Sequence, residues 1–150
     1  DEVVDVKFEG VNEAQPGPNV INSILNSDAI IICPSNPIVS IGTILSVKGV
    51  KQALKETSAK IVAISPIVGG KTIKGPADKM MQGMGLEASA FGVAELYKDF
   101  LNSIVIDQID ETEKTRIEEL GINVIVTNTI MRTMEDKIKL ARVTLRSVGI

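Results

Sequence analysis

The sequence predicts an α/β fold of Rossmann-like class: a doubly wound, mostly parallel sheet with helices on both faces. Three observations carry that expectation. Residues 29–33, 60–65, 103–107 and 122–127 are short, nearly continuous apolar runs, the character of strands buried on both faces. Segments with helical start and stop signals separate these runs. Strands that alternate with helices imply right-handed crossovers and a parallel sheet.

Taken in order, Val4, Val6 and Phe8 alternate with charged residues, which predicts a first strand with one wet face. Gln15-Pro16-Gly17-Pro18 is a turn, and Pro18 can open a short helix. Val20, Ile21, Ile24 and Leu25 give that helix one apolar stripe. The run 29–33 is the next strand, and the loop Pro34-Ser35-Asn36-Pro37 follows at once. Helix signals resume from Ser40 to Glu56, with a break at Gly49. After the strand at 60–65, residues 66–76 form a long Gly-rich exit loop. Residues 77–83 and 89–100 read as helices. After the strand at 103–107, Asp110 with Glu113 has the spacing of a capping box, and Gly121 ends the helix. Beyond the strand at 122–127, Thr133 with Asp136 starts a final helix. Its Met134, Ile138, Ala141, Leu145 and Val148 form a stripe at helical spacing.

Composition removes several kinds of chemistry. The chain has 150 residues, a length that fits one domain and needs no disulfide or metal staple. There is no His, so no catalytic imidazole triad, His-ligated metal or imidazole proton shuttle can be built from this sequence. Cys33 is the single Cys and ends an apolar run, so it reads as a small core residue. With 16 basic and 19 acidic residues the net charge is −3, which offers nucleic acid no attractive field. No apolar run approaches the ~20 residues of a membrane span. The chain opens Asp1-Glu2-Val3, with neither initiator Met nor targeting segment, and reads as a partial domain of a cytoplasmic protein.

In a parallel sheet, ligands bind beyond the carboxyl ends of the strands. That rule selects residues 33–40, 65–76, 107–110 and 127–129. In the first segment two prolines stiffen the loop, and Ser35, Asn36 and Ser40 offer polar side chains. Ser40 can equally serve as the cap of the next helix. In the second, Gly69 and Gly70 allow backbone amides to approach an anion, and Lys71 and Lys74 add positive charge. The spacing is not that of a Walker loop. Asp107 and Asp110 either share a Mg²⁺ or cap the following helix. Thr127-Asn128-Thr129 either binds a ligand or turns the chain. The Gly83-Met84-Gly85-Leu86-Glu87-Ala88 match to a dinucleotide fingerprint follows no strand and joins two helices instead. Met80, Met81 and Met84 read as core filler. No general base or nucleophile with a partner emerges.

The loops that carry these candidates also carry a resemblance. Residues 32–45, Ser65-Pro66-Ile67-Val68-Gly69-Gly70 and Lys74-Gly75-Pro76-Ala77-Asp78-Lys79 closely resemble the 2-phospho-L-lactate transferases, which make the deazaflavin coenzyme of methanogenic archaea and actinobacteria. The likeness runs along the whole chain, through Phe91 to Tyr97 and Asn128-Thr129-Ile130-Met131. It implies that residues 1–150 are a single α/β unit equivalent to the C-terminal half of a longer transferase. It also implies transfer of a phospholactyl-type group from a guanosine diphosphate donor, lactyl-2-diphospho-5'-guanosine, to the deazaflavin precursor FO. GMP leaves, and Mg²⁺ is required. Ser35, Asn36, Pro37 and Ser40 are thereby expected to contact the donor nucleotide, and Gly69, Gly70, Lys71 and Lys74 are expected near its phosphates. The acceptor-binding acidic residues of the family have no counterpart here. The complete enzyme is expected to be a homodimer. A related branch, nucleotide or sugar-nucleotide-binding regulators, shares the fold, but its loop reads Gly-Pro-Gly-Ser where this chain has Pro-Ser-Asn-Pro.

Overall fold

The computed structural model describes Val3 and residues 5–150. The strands in chain order are β1 (Ala29–Ile32), β2 (Lys60–Ile64), β3 (Ile67–Val68), β4 (Lys71–Thr72), β5 (Ser103–Asp107) and β6 (Asn123–Thr127). The helices are α1 (Val20–Leu25), α2 (Gly42–Ser46), α3 (Val50–Glu56), α4 (Ala77–Gly83), α5 (Ala90–Tyr97), α6 (Lys114–Glu118) and α7 (Met134–Ser147). A π-helical turn, Pro37–Ile41, leads into α2, and a 3-10 turn, Gln108–Glu113, leads into α6.

β1, β2, β5 and β6 make one parallel sheet in that spatial order, while β3 and β4 form a separate antiparallel hairpin. The sheet therefore grows in one direction as the chain advances. Crossovers of the usual right hand then place their helices on one face. The packing agrees: Ile32, Ile61, Ala63, Ile104, Ile106 and Val124 meet Val50 and Leu54 of α3, Val93 and Tyr97 of α5, and Ile117 of α6. The alternate residues Val62, Ile64 and Val105 face the other way, against Leu140 of α7, with Ile125 and Val148 at the margin. Helices thus lie on both faces, but unequally. Each fully buried Ile or Val contributes roughly 1.5–3 kcal/mol, so β2 and β5 carry most of the sheet's stability. The outer strands are wetter: Ile31 of β1 is 39% exposed.

The three strand-to-strand crossovers, the capping box of Thr133 and Asp136, and the buried Met80 and Met81 all follow the sequence expectations. Other elements differ. Val4 lies outside the described residues, and residues 5–8 form no strand. Val6 and Phe8 are half-buried beside Leu45 of α2 and Leu96 of α5. A segment without sheet partners that buries alternate residues shows the same pattern as a strand, so the pattern could not distinguish them. The exit loop at 66–76 is mostly hairpin. Gly69 and Gly70 have φ of 57° and 75°, the paired positive values of a two-residue type I′ turn. The cap of the helical stretch after β1 is Asn36, not Ser40. After β5 the cap is Asp107, which accepts the Ile109 amide, and no Asp110–Glu113 capping box forms. Glu113 instead accepts the Phe91 amide at the start of α5, beside the Ser89 cap. Cys33 is exposed, because β1 ends at Ile32 and the chain has already left the sheet.

Candidate functional site

A cleft of about 860 Å³ opens at the carboxyl ends of the strands. One part of its lining comes from the loop after β1, through Pro34, Asn36, Val39 and Ser40. Another comes from Ser65 and Pro66 after β2, the hairpin residues Val68 and Thr72, and Ile73 to Ala77. The last is the loop after β6, Thr129 to Arg132.

Local chemistry fixes each part. The Asn36 side chain accepts the amides of Ile38 and Val39 at 2.9 and 3.2 Å, and its Nδ2 lies 3.4 Å from Sδ of Met80. These bonds commit its carboxamide oxygen to holding the loop. Pro37 is buried behind it at the first position of the π-helical turn. Ser40 is exposed and lines the cleft, with its backbone amide bonded to the Asn36 carbonyl. The Ser65 hydroxyl folds onto the backbone of Ile67, turning β2 into the hairpin. The Thr72 hydroxyl lies 2.6 Å from the Gly75 carbonyl and 2.9 Å from Oδ1 of Asp78. This contact closes the turn that carries Lys74, and it holds the Asp78 carboxyl below its ordinary range.

Of the residues expected at the site, Asn36, Ser40 and Lys74 line the cleft. Ser35 and Pro37 belong to the same loop but do not line it. Gly69, Gly70 and Lys71 form the tip of the hairpin and stand outside the lining. The Gly69 amide is already engaged, donating to Oδ1 of Asp110 at 2.9 Å. Arg132 was not among the expected residues. The carboxyl-end rule selects 127–129 and stops three residues short of it, and the resemblance at 128–131 stops one residue short.

The cleft inverts the charge of the chain. Acidic residues outnumber basic ones overall, yet among the described residues Lys74 and Arg132 line the cleft and no Asp or Glu does. Among the described residues neither cation is held in an ion pair. Two cations with hydroxyls and backbone amides suit a phosphate-bearing ligand. The same residues do not make a metal site. Asp107 spends both carboxylate oxygens on Ile109 and Thr129, and among the described residues no group of three His, Cys, Asp or Glu side chains converges.

Fold and cleft together define a Rossmann-like α/β protein with a cationic, carboxylate-free recess at the carboxyl edge of its sheet. More particularly, the chain belongs to the 2-phospho-L-lactate transferase CofD family, whose model matches residues 1–144. It is 45% identical over 141 residues to the 2-phospho-L-lactate transferase of Methanocaldococcus jannaschii, covering 94% of this chain and 44% of that protein. It is 42% identical over 146 residues to the enzyme of the same name from Methanothermobacter thermautotrophicus, covering 97% of this chain and 46% of that protein. The chain thus spans less than half the length of these curated relatives. Among solved structures, Protein BH3568 from Bacillus halodurans superposes with a TM-score of 0.58 at 18% identity, covering 87% of this chain and 47% of that one. A second structure of it, described as a member of the UPF0052 family, gives a TM-score of 0.51. That likeness concerns the fold alone.

Proposed function

We propose that this chain supplies the donor-nucleotide half of a 2-phospho-L-lactate transferase. On this reading the cleft holds the diphosphate of lactyl-2-diphospho-5'-guanosine. A hydroxyl of the deazaflavin precursor FO attacks the phosphorus that bears the lactyl group. The new P–O bond forms as the bond to GMP breaks, and GMP leaves. The observation that carries the reading is the pairing of Lys74 and Arg132 in a cleft free of carboxylates. Phosphoryl transfer depends on positioning and charge neutralisation more than on covalent chemistry, so a chain without His can contribute fully. Ser40 and the two cations face the donor. Asn36 and Pro37 shape the loop beneath it. Ser35 and the Gly69-Gly70-Lys71 tip stand behind these contacts. The described residues gather no carboxylate cage for Mg²⁺; on this reading the protein ligands of the metal and the acceptor site lie elsewhere in the enzyme, which acts as a homodimer in the cytoplasm.

Calorimetry on the full-length enzyme tests this reading. GDP is expected to bind, and Lys74→Ala and Arg132→Ala should each weaken it about tenfold, the effect of one charge-assisted hydrogen bond. Tight binding of a UDP-sugar with none of GDP would replace the transferase reading with that of a sugar-nucleotide-binding regulator. Unchanged GDP affinity in both variants would remove the cleft from the donor site.

A further inference from the structure

We propose that Asp107 and Asp110 are positioning residues that set the width of the cleft, one for each of two walls. They were candidates for a shared metal ion, but their bonds run elsewhere. Asp107 ends β5 and is 1% exposed; Asp110 lies in the following 3-10 turn and is 4% exposed. Oδ2 of Asp107 accepts the Thr129 amide at 2.8 Å and its hydroxyl at 3.2 Å. Oδ1 of Asp110 accepts the Gly69 amide at 2.9 Å. Each carboxylate therefore reaches to one side, away from the other's partner.

Both partners lead directly into the cleft. Thr129 begins the segment that runs to Arg132, and Gly69 is the turn of the hairpin that presents Thr72 and Lys74. A two-stranded hairpin with two residues per strand has little stability of its own. The main sheet does not hold it, because β3 and β4 pair only with each other. Its tip rests instead on the 3-10 turn: a Cβ built on Gly69 would sit 3.4 Å from Cγ2 of Ile109. Both anchors come from Asp107-Gln108-Ile109-Asp110, at the end of one of the two best-buried strands. One rigid segment thereby fixes two loops that share no hydrogen bond across the cleft among the described residues.

The second oxygen of Asp110 sits in an unfavourable place. This atom, Oδ2, is buried and has no hydrogen-bond partner among the described residues. The root of the hairpin is held by the Ser65 hydroxyl on Ile67, so the Asp110 oxygen is the side-chain acceptor that holds its tip. The consequence for the donor rests on the proposed function; the anchoring of the walls does not.

The test uses the full-length enzyme, with amide hydrogen exchange read segment by segment and GDP affinity read by calorimetry. Asp110→Ala is expected to speed exchange in residues 67–74 about tenfold or more, the loss of one such bond, with the β6 to α7 loop unchanged. Asp107→Ala should do the reverse. Both should raise KM for the donor with a smaller fall in kcat. Asp110→Asn, which retains an acceptor oxygen, should restore protection of 67–74 if the alanine variant proves poorly folded. Exchange at 67–74 that is unchanged in Asp110→Ala, or that rises equally in β2, β5 and β6, would overturn the proposal. So would an Asp110→Asn variant that behaves like Asp110→Ala. A wild-type enzyme that binds no GDP would defeat the functional reading while the exchange pattern still decides the anchoring.

Discussion

Asp110 shows how one carboxyl group links pH to stability. Burial holds it above its ordinary range; the Gly69 amide bond opposes that shift and the nearby charge of Asp107 adds to it. A raised carboxyl pKa means that the folded state binds the proton more tightly than the unfolded chain does. Stability from this group is therefore greatest at low pH and falls as pH rises through the window above 3.8. The penalty grows as the carboxyl ionises. Asp110→Asn removes it and keeps the Gly69 acceptor, so the variant should melt at or above the wild-type temperature at pH 7. The gap should close as pH falls through that window, when Asp110 itself becomes neutral. A gap independent of pH in thermal melts would contradict this account. At this scale sequence reasoning names polar side chains in the loops that line the cleft, and the structure adds which of their atoms are already bonded. Asn36 is expected to contact the donor, and its carboxamide oxygen is engaged by Ile38 and Val39 while its nitrogen keeps a donor at the cleft. Asp107 and Asp110 are read as either a metal pair or helix caps, and both accept backbone amides. Spacing identifies polar side chains near an edge but not the direction in which each one points.

Secondary-structure elements were legible where burial dictates them. The runs of β2 and β5 can only be interior strands, and the Thr133–Asp136 box announces α7. Thr133→Ala should cost about 1 kcal/mol and speed exchange at the first amides of α7, as loss of an N-cap does. Within α5, Gly92 lies against the Glu87 carbonyl so closely that a Cβ would overlap it and crowd Met81. Helix propensity alone would make Gly92→Ala favourable by about 1 kcal/mol. The steric conflict wins, and a net loss of about 1–3 kcal/mol is expected in chemical denaturation. The hairpin was illegible because strands of two residues are too short to show a period. The α7 stripe was misplaced for another reason. Met134 and Ile138 are 69% and 44% exposed, while Leu140 and Thr144 are buried. The buried face lies roughly 100° round the helix from the stripe that the sequence advertises. Spacing reveals an amphipathic helix but not which of its apolar surfaces meets this sheet.

At the scale of the molecule those exposed residues are surface that the described residues leave uncovered. Ile31 shares its sheet face with Val62, which packs on α7, and Met131, Met134 and Ile138 are exposed as well. The 150 residues expressed alone should therefore associate with themselves as concentration rises, read by sedimentation velocity. A single monomeric species at every concentration would contradict that expectation. The sheet order β1-β2-β5-β6 has a different consequence. Each strand of the sheet pairs with the one that precedes it in the chain, so no strand must wait for a later one before finding its neighbour. A ribosome releasing the chain from its N-terminus delivers every strand to an edge that is already in place. Synthesis can thus lay the sheet down in sequence, with α7, the last helix to emerge, closing over β2 and β5 once both are paired.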